Sequence, residues 1–177
     1  MNRIELFQLQ NLQGSSVALT ADSPDLSTVG FWRKAQSLRV CGDPWVVFTN
    51  QQYEGDFSFY EEGTYNSIPG FAGFIGSVRV VPGGFSCPSI ILYEHINYEG
   101  RSVPVKKSVD SVVPIGFNDM ASSHRVESGA WILYEHINYR GHRMVTVAGD
   151  NVPNYVPLGW NDVLSSLRPI TCSACCE

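Results

Sequence analysis

The amino-acid sequence predicts an all-β protein built as two small β-sandwich domains. Three observations carry that expectation: a fourfold internal repeat, short runs of alternating apolar residues, and a composition rich in turn formers. The 177 residues hold 16 Gly, 10 Pro and 12% aromatics, a mixture that favours turn-rich β architecture over a helical bundle. An apolar share of 44% is enough for a packed core. The formal charge of −5 argues against a nucleic-acid surface, because phosphate binding needs a basic face. It is compatible with binding small cations.

The repeat is read directly from the chain. The octapeptide ILYEHINY spans Ile91–Tyr98 and returns unchanged at Ile132–Tyr139, each copy followed by one residue and then Gly100 or Gly141. Looser copies begin at Phe7 and Phe48 and reach Gly14 and Gly55, so all four read aromatic-x6-Gly. A second signature closes each repeat: Gly30–Ser37, Gly70–Ser77, Gly116–Ser123 and Gly159–Ser166 all open Gly-aromatic and end in Ser. A strand-like run follows each of them. Further strands are expected at IELFQL, SVALT, WVVF, FSFY, SVRVV, IILYE, WILYE and RMVTVA, bounded by turn residues such as CGDP, VPGG and AGDN. A short helical turn is expected around Pro153–Leu158. The link VVPGGFSCPS (Val80–Ser89) divides the repeats two by two, giving domains over 1–83 and 88–171 and a Cys-rich tail over 172–177.

Aromatic-x4-aromatic-x-Gly with a Ser about 23 residues further on resembles the Greek key motif of the βγ-crystallin family. The pattern is plain at Tyr93, Tyr98, Gly100 and at Tyr134, Tyr139, Gly141; repeat two keeps Phe48, Tyr53 and Gly55, and repeat one has Leu12 in place of the second aromatic. The resemblance implies two βγ-crystallin-type domains, each of two Greek keys. Within the family, GDPWVVF, GFNDMASSH and AGDNVPNYVPLGWND resemble the amphibian epidermis differentiation-specific proteins. One residue at positive φ is expected in each hairpin, supplied by Gly14, Gly55, Gly100 and Gly141. Ser37, Ser77, Ser123 and Ser166 are expected, from the family, to pin those hairpins through backbone hydrogen bonds.

The resemblance also implies metal chemistry, because calcium-binding members carry [ND]-[ND]-x-x-[ST]-S before that Ser. Asn118–Ser123 and Asn161–Ser166 match in full; Trp32–Ser37 and Ala72–Ser77 keep the Ser and lose the oxygen donors, and Arg33 and Lys34 would repel a cation. Calcium takes six to eight oxygens, more than one hexapeptide offers. The family pattern implies reciprocal sharing between the two loops of a domain. One site would use the carbonyls of Glu94 and Asn118, the hydroxyl of Ser122 and the carboxylate of Asp162. Its mirror would use Glu135, Asn161, Ser165 and Asp119. Two calcium ions are thus expected in domain two and none in domain one.

Other constellations carry less. His95 and His136 repeat with the octapeptide, and all four histidines are expected to be solvated at the surface. HExxH and G-x-S-x-G patterns do not occur, so the chain is not expected to be an enzyme. Trp32, Trp45, Trp131 and Trp160 are read as packing residues. Five cysteines leave at least one thiol unpaired or bonded to another chain; free thiols in a reducing compartment are the simpler reading. With Arg3 and Glu5 near the start and no apolar segment behind them, a cytoplasmic location is expected, non-classical secretion being left open.

The function these readings point to is a non-enzymatic structural protein whose C-terminal domain is stabilised by calcium. The rival is a targeting module for a partner protein or membrane in an aerolysin-type pore-forming complex. A lens-type packing protein is the third. Homo- or hetero-oligomers are open, and membrane association is expected only through a partner.

Overall fold

The structure is a computed structural model and describes residues 1–171; the Cys-rich tail expected over 172–177, with Cys172, Cys175 and Cys176, lies outside the described residues. The chain divides into two units, Met1–Val81 and Pro82–Glu177, and each is a pair of sheets.

In the first unit, strands β1 (Arg3–Leu9), β2 (Gln13–Leu19), β3 (Ser37–Cys41), β4 (Trp45–Phe48), β5 (Phe57–Tyr60), β6 (Gly63–Tyr65) and β7 (Ser77–Val80) follow in order. They form the sheets β2-β1-β3-β6 and β5-β4-β7. β6 comes from repeat two yet pairs with β3 of repeat one, while Ser23 of repeat one bridges Val78 of repeat two. Each repeat thereby lends a segment to its neighbour's sheet. Period-two alternation sets the faces: Ile4 and Leu6 of β1 are fully buried and meet Trp45, Val47 and Val78 from the opposite sheet in one core.

The second unit repeats the plan. Strands β8 (Ser89–His95), β9 (Glu99–Val105), β10 (Ser123–Ser128), β11 (Ala130–His136), β12 (Arg140–Val147), β13 (Asn151–Val152) and β14 (Ser166–Pro169) form β13-β10-β8-β9 and β12-β11-β14. β13 crosses to β10 and Val109 bridges Leu167. Ile90 and Leu92 pack against Trp131, Leu133 and Leu167. β9 was not evident in the sequence because it is mostly exposed and contains Pro104; β6 and β13 are too short to show a period. The turn expected near Pro153–Leu158 is a 3-10 helix at Val156–Leu158. Among the described residues no helix is long and apolar enough to cross a membrane.

The four closing serines hold the four hairpins in the same way. Ser37 accepts from the Leu12 N–H at 3.0 Å and donates to the Leu9 carbonyl at 2.6 Å. Ser77 does so with Tyr53 and Asn50, Ser123 with Tyr98 and His95, and Ser166 with Tyr139 and His136. All four serines are fully buried, so these bonds satisfy hydroxyls that water cannot reach. The hairpins need more left-handed backbone than expected. Beside each glycine, two preceding residues also have positive φ: Asn11 and Leu12, Gln52 and Tyr53, Asn97 and Tyr98, Asn138 and Tyr139. The pinned N–H is in each case that of the second such residue. Bulky residues resist this region, and the serine bond holds them there.

One further expectation needs adjustment. His124 is not solvated but fully buried, because it sits one residue after a pinning serine on the inward face of β10. Trp45 and Trp131 are fully buried and Trp160 packs half-buried against the second core, as expected of packing residues, whereas Trp32 is half-buried beside the loops. Cys41 and Cys87 are free and exposed.

Candidate metal centre

The closing loops share one backbone plan. The fifth loop residue donates its N–H to the carbonyl of the repeat's aromatic anchor: Gln36 to Phe7 at 2.8 Å, Gly76 to Phe48 at 2.7 Å, Ser122 to Tyr93 and Ser165 to Tyr134, both at 3.0 Å. The second loop residue is left-handed in all four, at Arg33 (φ 52°), Gly73 (75°), Asp119 (52°) and Asp162 (58°). Asp tolerates that region better than most residues, so part of the preference for Asp at this position is conformational. The loops therefore differ in side chains and in how they meet.

In domain one the loops meet directly. Arg33 N–H donates to the Ile75 carbonyl at 3.0 Å and Gly73 N–H to the Ala35 carbonyl at 2.9 Å. Among the described residues, no corresponding bonds link Asp119 to Leu164 or Asp162 to Ala121 in domain two. There the loops meet through side chains, the Ser122 hydroxyl donating to Asn161 Oδ1 at 3.2 Å. Between them opens a cleft of about 310 Å³ lined by Glu94, His95, Asp119, Met120, Ser122, Asn161 and Asp162. At ~30 Å³ per water, a cation with several waters fits.

Of the residues expected at the first site, Glu94, Ser122 and Asp162 share this cleft. Asp119 and Asn161, expected at the mirror site, line it too. Asn118, Glu135 and Ser165 lie outside its lining. Asn118 Nδ2 donates to Asp119 Oδ2 at 3.1 Å, and Ser165 turns back to the Val163 carbonyl at 3.2 Å. The Glu135 carboxylate accepts from the His142 N–H at 3.2 Å.

The electrostatics of the cleft follow from which carboxylates are paired. Glu94 is engaged by the Arg101 guanidinium at 3.2 Å, and Arg101 is itself anchored on the Gly116 carbonyl at 2.7 Å. The glutamate side chain thus braces the hairpin. Asp119 and Asp162 accept only from the neutral amides of Asn118 and Asn161, and among the described residues neither has a cationic partner. Two uncompensated carboxylates, a hydroxyl and an amide oxygen make a hard donor set suited to a hard cation. Groups of three or more His, Cys, Asp or Glu that could hold a metal do not occur among the described residues. His95, Met120 and the bracing Arg101 were not anticipated at the site. Only the position of Arg101 directly after Gly100 could have hinted at its role.

Behind Ser122 lies a buried polar chain. The Tyr155 N–H donates to the Ser122 carbonyl at 3.0 Å. Its hydroxyl is 2.5 Å from His124 Nδ1, and His124 Nε2 is 2.9 Å from Thr146 Oγ1, which donates to Asp150 at 3.0 Å. Since the threonine proton is committed to Asp150, the imidazole donates from Nε2 and accepts the tyrosine proton at Nδ1. Burial lowers the His124 pKa to about 4, offset in part by Asp150, and raises that of Tyr155.

A family model for Beta/Gamma crystallin matches residues 3–81 and 89–170. The chain belongs to the βγ-crystallin family. Among its relatives, it is 35% identical over 170 residues to the epidermal differentiation-specific protein of Cynops pyrrhogaster, covering 96% of this chain and 50% of that protein. It is 29% identical over 174 residues to human beta/gamma crystallin domain-containing protein 2, covering 96% of this chain and 10% of that protein. The chain therefore spans half or less of these relatives. A solved βγ-crystallin from an archaeon matches with 31% identity and a TM-score of 0.44, covering 48% of this chain and 100% of that one. Against this βγ-crystallin frame, the serine pins and aromatic anchors recur in both domains. Only domain two adds oxygen donors at the first, second and fifth loop positions together.

Proposed function

We propose that this βγ-crystallin is a non-enzymatic structural protein whose second domain takes calcium between its two closing loops and is stabilised by it. The observation that carries the reading is the unpaired couple Asp119 and Asp162, converging on an oxygen-lined cleft where domain one has direct backbone bonds. Glu94, Asn118, Ser122 and Asp162 would hold one ion, and Glu135, Asn161, Ser165 and Asp119 a second. The bound cation would supply the positive charge that joins the loops. The chain's own residues brace the hairpins, fix the Ser122 backbone and keep the two carboxylates facing the cleft.

With one carboxylate assigned to each ion, affinity is expected at roughly 10⁻⁶–10⁻⁴ M. At free calcium 100 times Kd, each site adds about 2.7 kcal/mol to the folded state. The test is thermal melting of the full chain with calcium and with chelator, for the parent and for Asp119→Ala plus Asp162→Ala. Domain two should melt higher with calcium in the parent only. An equal calcium response in the double variant would sink the ligand assignment.

A further inference from the structure

We propose that Arg33 is a resident cation of domain one, a tethered guanidinium doing permanently what a dissociable ion is proposed to do in domain two. The comparison with an ion rests on the calcium reading of domain two; the contacts of Arg33 do not. Arg33 holds the second position of its loop, as Asp119 does in the corresponding loop of domain two, and both have φ of 52°. In the reciprocal scheme Asp119 works across the domain, at an ion shared with the Glu135 carbonyl. The counterpart of Glu135, one residue after the aromatic anchor of repeat two, is Thr49. The Arg33 guanidinium reaches there: its Nη2 donates to the Thr49 carbonyl at 3.3 Å and to Asn50 Oδ1 at 3.2 Å. A guanidinium and a calcium ion are both cations that satisfy carbonyl and amide oxygens. Here the charge is carried on the chain.

The surroundings have been rebuilt to match. Trp32 replaces the first-position Asn, and the guanidinium lies 5.1 Å from its ring centroid. The fifth position of the partner loop is Gly76, not Ser. A Cβ there would come within 2.5 Å of Trp32 Cζ3 and 2.6 Å of the Thr49 carbonyl oxygen. The ring thus occupies the space a fifth-position hydroxyl would need. Domain one is consequently a closed lock that needs no free ion, and Arg33 joins the loop of repeat one to the hairpin of repeat two.

The test uses the full chain in chelator and follows amide hydrogen exchange in peptides spanning 30–37 and 70–77, with domain two peptides as internal control. Arg33 is exposed, so Arg33→Met leaves the core intact. It should speed exchange in both domain one peptides about fivefold, consistent with losing charge-assisted bonds at a surface, while Arg33→Lys recovers part of the protection. Low-millimolar guanidinium should slow exchange in Arg33→Met and leave the parent unchanged. Parental exchange in Arg33→Met, or no slowing by guanidinium, overturns the proposal. Because these arms contain no calcium, they decide the role of Arg33 whether or not calcium later protects the loops of domain two.

Discussion

The two loop pairs solve one geometric problem with opposite chemistry. In domain one, Arg33 and Gly73 reach across by backbone hydrogen bonds and a Trp32–Gly76 contact closes the remaining space. In domain two the same backbone turns are kept, yet the loops touch through Ser122 and Asn161 and leave two carboxylates facing a cleft. The difference teaches that loop geometry is a property of the fold, whereas the chemistry between the loops is set by a few side chains placed on it. The pins stand outside the contrast, being alike in both domains. Removing them should therefore damage both domains equally.

That gives the largest expected effect. Ser37→Ala or Ser123→Ala leaves one part-buried N–H and one part-buried carbonyl without their serine partner, at about 1–3 kcal/mol each, so each variant should lose about 3–4 kcal/mol of its own domain's stability. Denaturant unfolding with domain-resolved amide exchange measures this. A loss confined to one domain's serines would show that the pins are not equivalent.

Acid should separate the domains next. The positions equivalent to His124 are Leu38, Val78 and Leu167, all fully buried and apolar; only domain two has a titratable group there. The unfolded histidine titrates near 6.5 and the folded one at about 4. Between these values the unfolded chain binds more protons, so stability falls as pH drops from about 6.5 to about 4 and is unaffected above that window. The shift amounts to about 3 kcal/mol at 1.36 kcal/mol per pH unit. Urea unfolding in chelator should show domain two losing this amount while domain one does not. His124→Leu with Tyr155→Phe should abolish the difference. Domain two unfolding at pH 5 with unchanged stability would mean that His124 is not buried as a neutral group.

Much of this architecture was legible in the chain because repetition amplified it. The aromatic anchors, glycines and closing serines recur four times, so the β-rich fold could be read from spacing and its Greek key plan from the family resemblance those residues carry. The full Asn-Asp-x-x-Ser-Ser match likewise singled out domain two. What could not be read were effects that depend on tertiary neighbours. His124 looks like a surface residue until β10 turns it inward onto Tyr155 and Thr146. Arg33 looks like a charge that merely repels a cation until it is seen donating to Thr49 and Asn50. The two extra left-handed residues in each hairpin follow from the serine bonds, whose partners lie 24 to 30 residues away in sequence.

An exchange of fifth-position residues tests the opposition between the loop pairs more gently. Gly76→Ser forces a Cβ against Trp32 and the Thr49 backbone and should cost about 2 kcal/mol, in the range of overpacking. Ser165→Gly should leave domain two folded in chelator but reduce its calcium stabilisation. Thermal melts with and without calcium read both variants. If Gly76→Ser is neutral, the ring does not fill the hydroxyl's place in domain one.

The smallest expected effect concerns the hairpin that departs from the aromatic pattern. In three repeats the pinned left-handed residue is a tyrosine lying 5.6–5.8 Å from its anchor ring, Tyr53 on Phe48, Tyr98 on Tyr93 and Tyr139 on Tyr134. An arginine two residues after the pinning serine covers each tyrosine, at 4.7 Å for Arg79, 3.9 Å for Arg125 and 5.0 Å for Arg168. Repeat one has Leu12, and its arginine, Arg39, bonds Glu5 at 3.2 Å instead. Leu12→Tyr should add an aromatic pair with Phe7 and a face for Arg39, together worth about 0.5–1 kcal/mol after Arg39 gives up its bond to Glu5. Tyr98→Leu should cost domain two somewhat more, since it removes a ring already held between Tyr93 and Arg125. Equilibrium unfolding of both variants in chelator checks the pair. A neutral Leu12→Tyr beside a costly Tyr98→Leu would mean that Glu5 holds Arg39 in place and that the repeats differ in more than one residue at this corner.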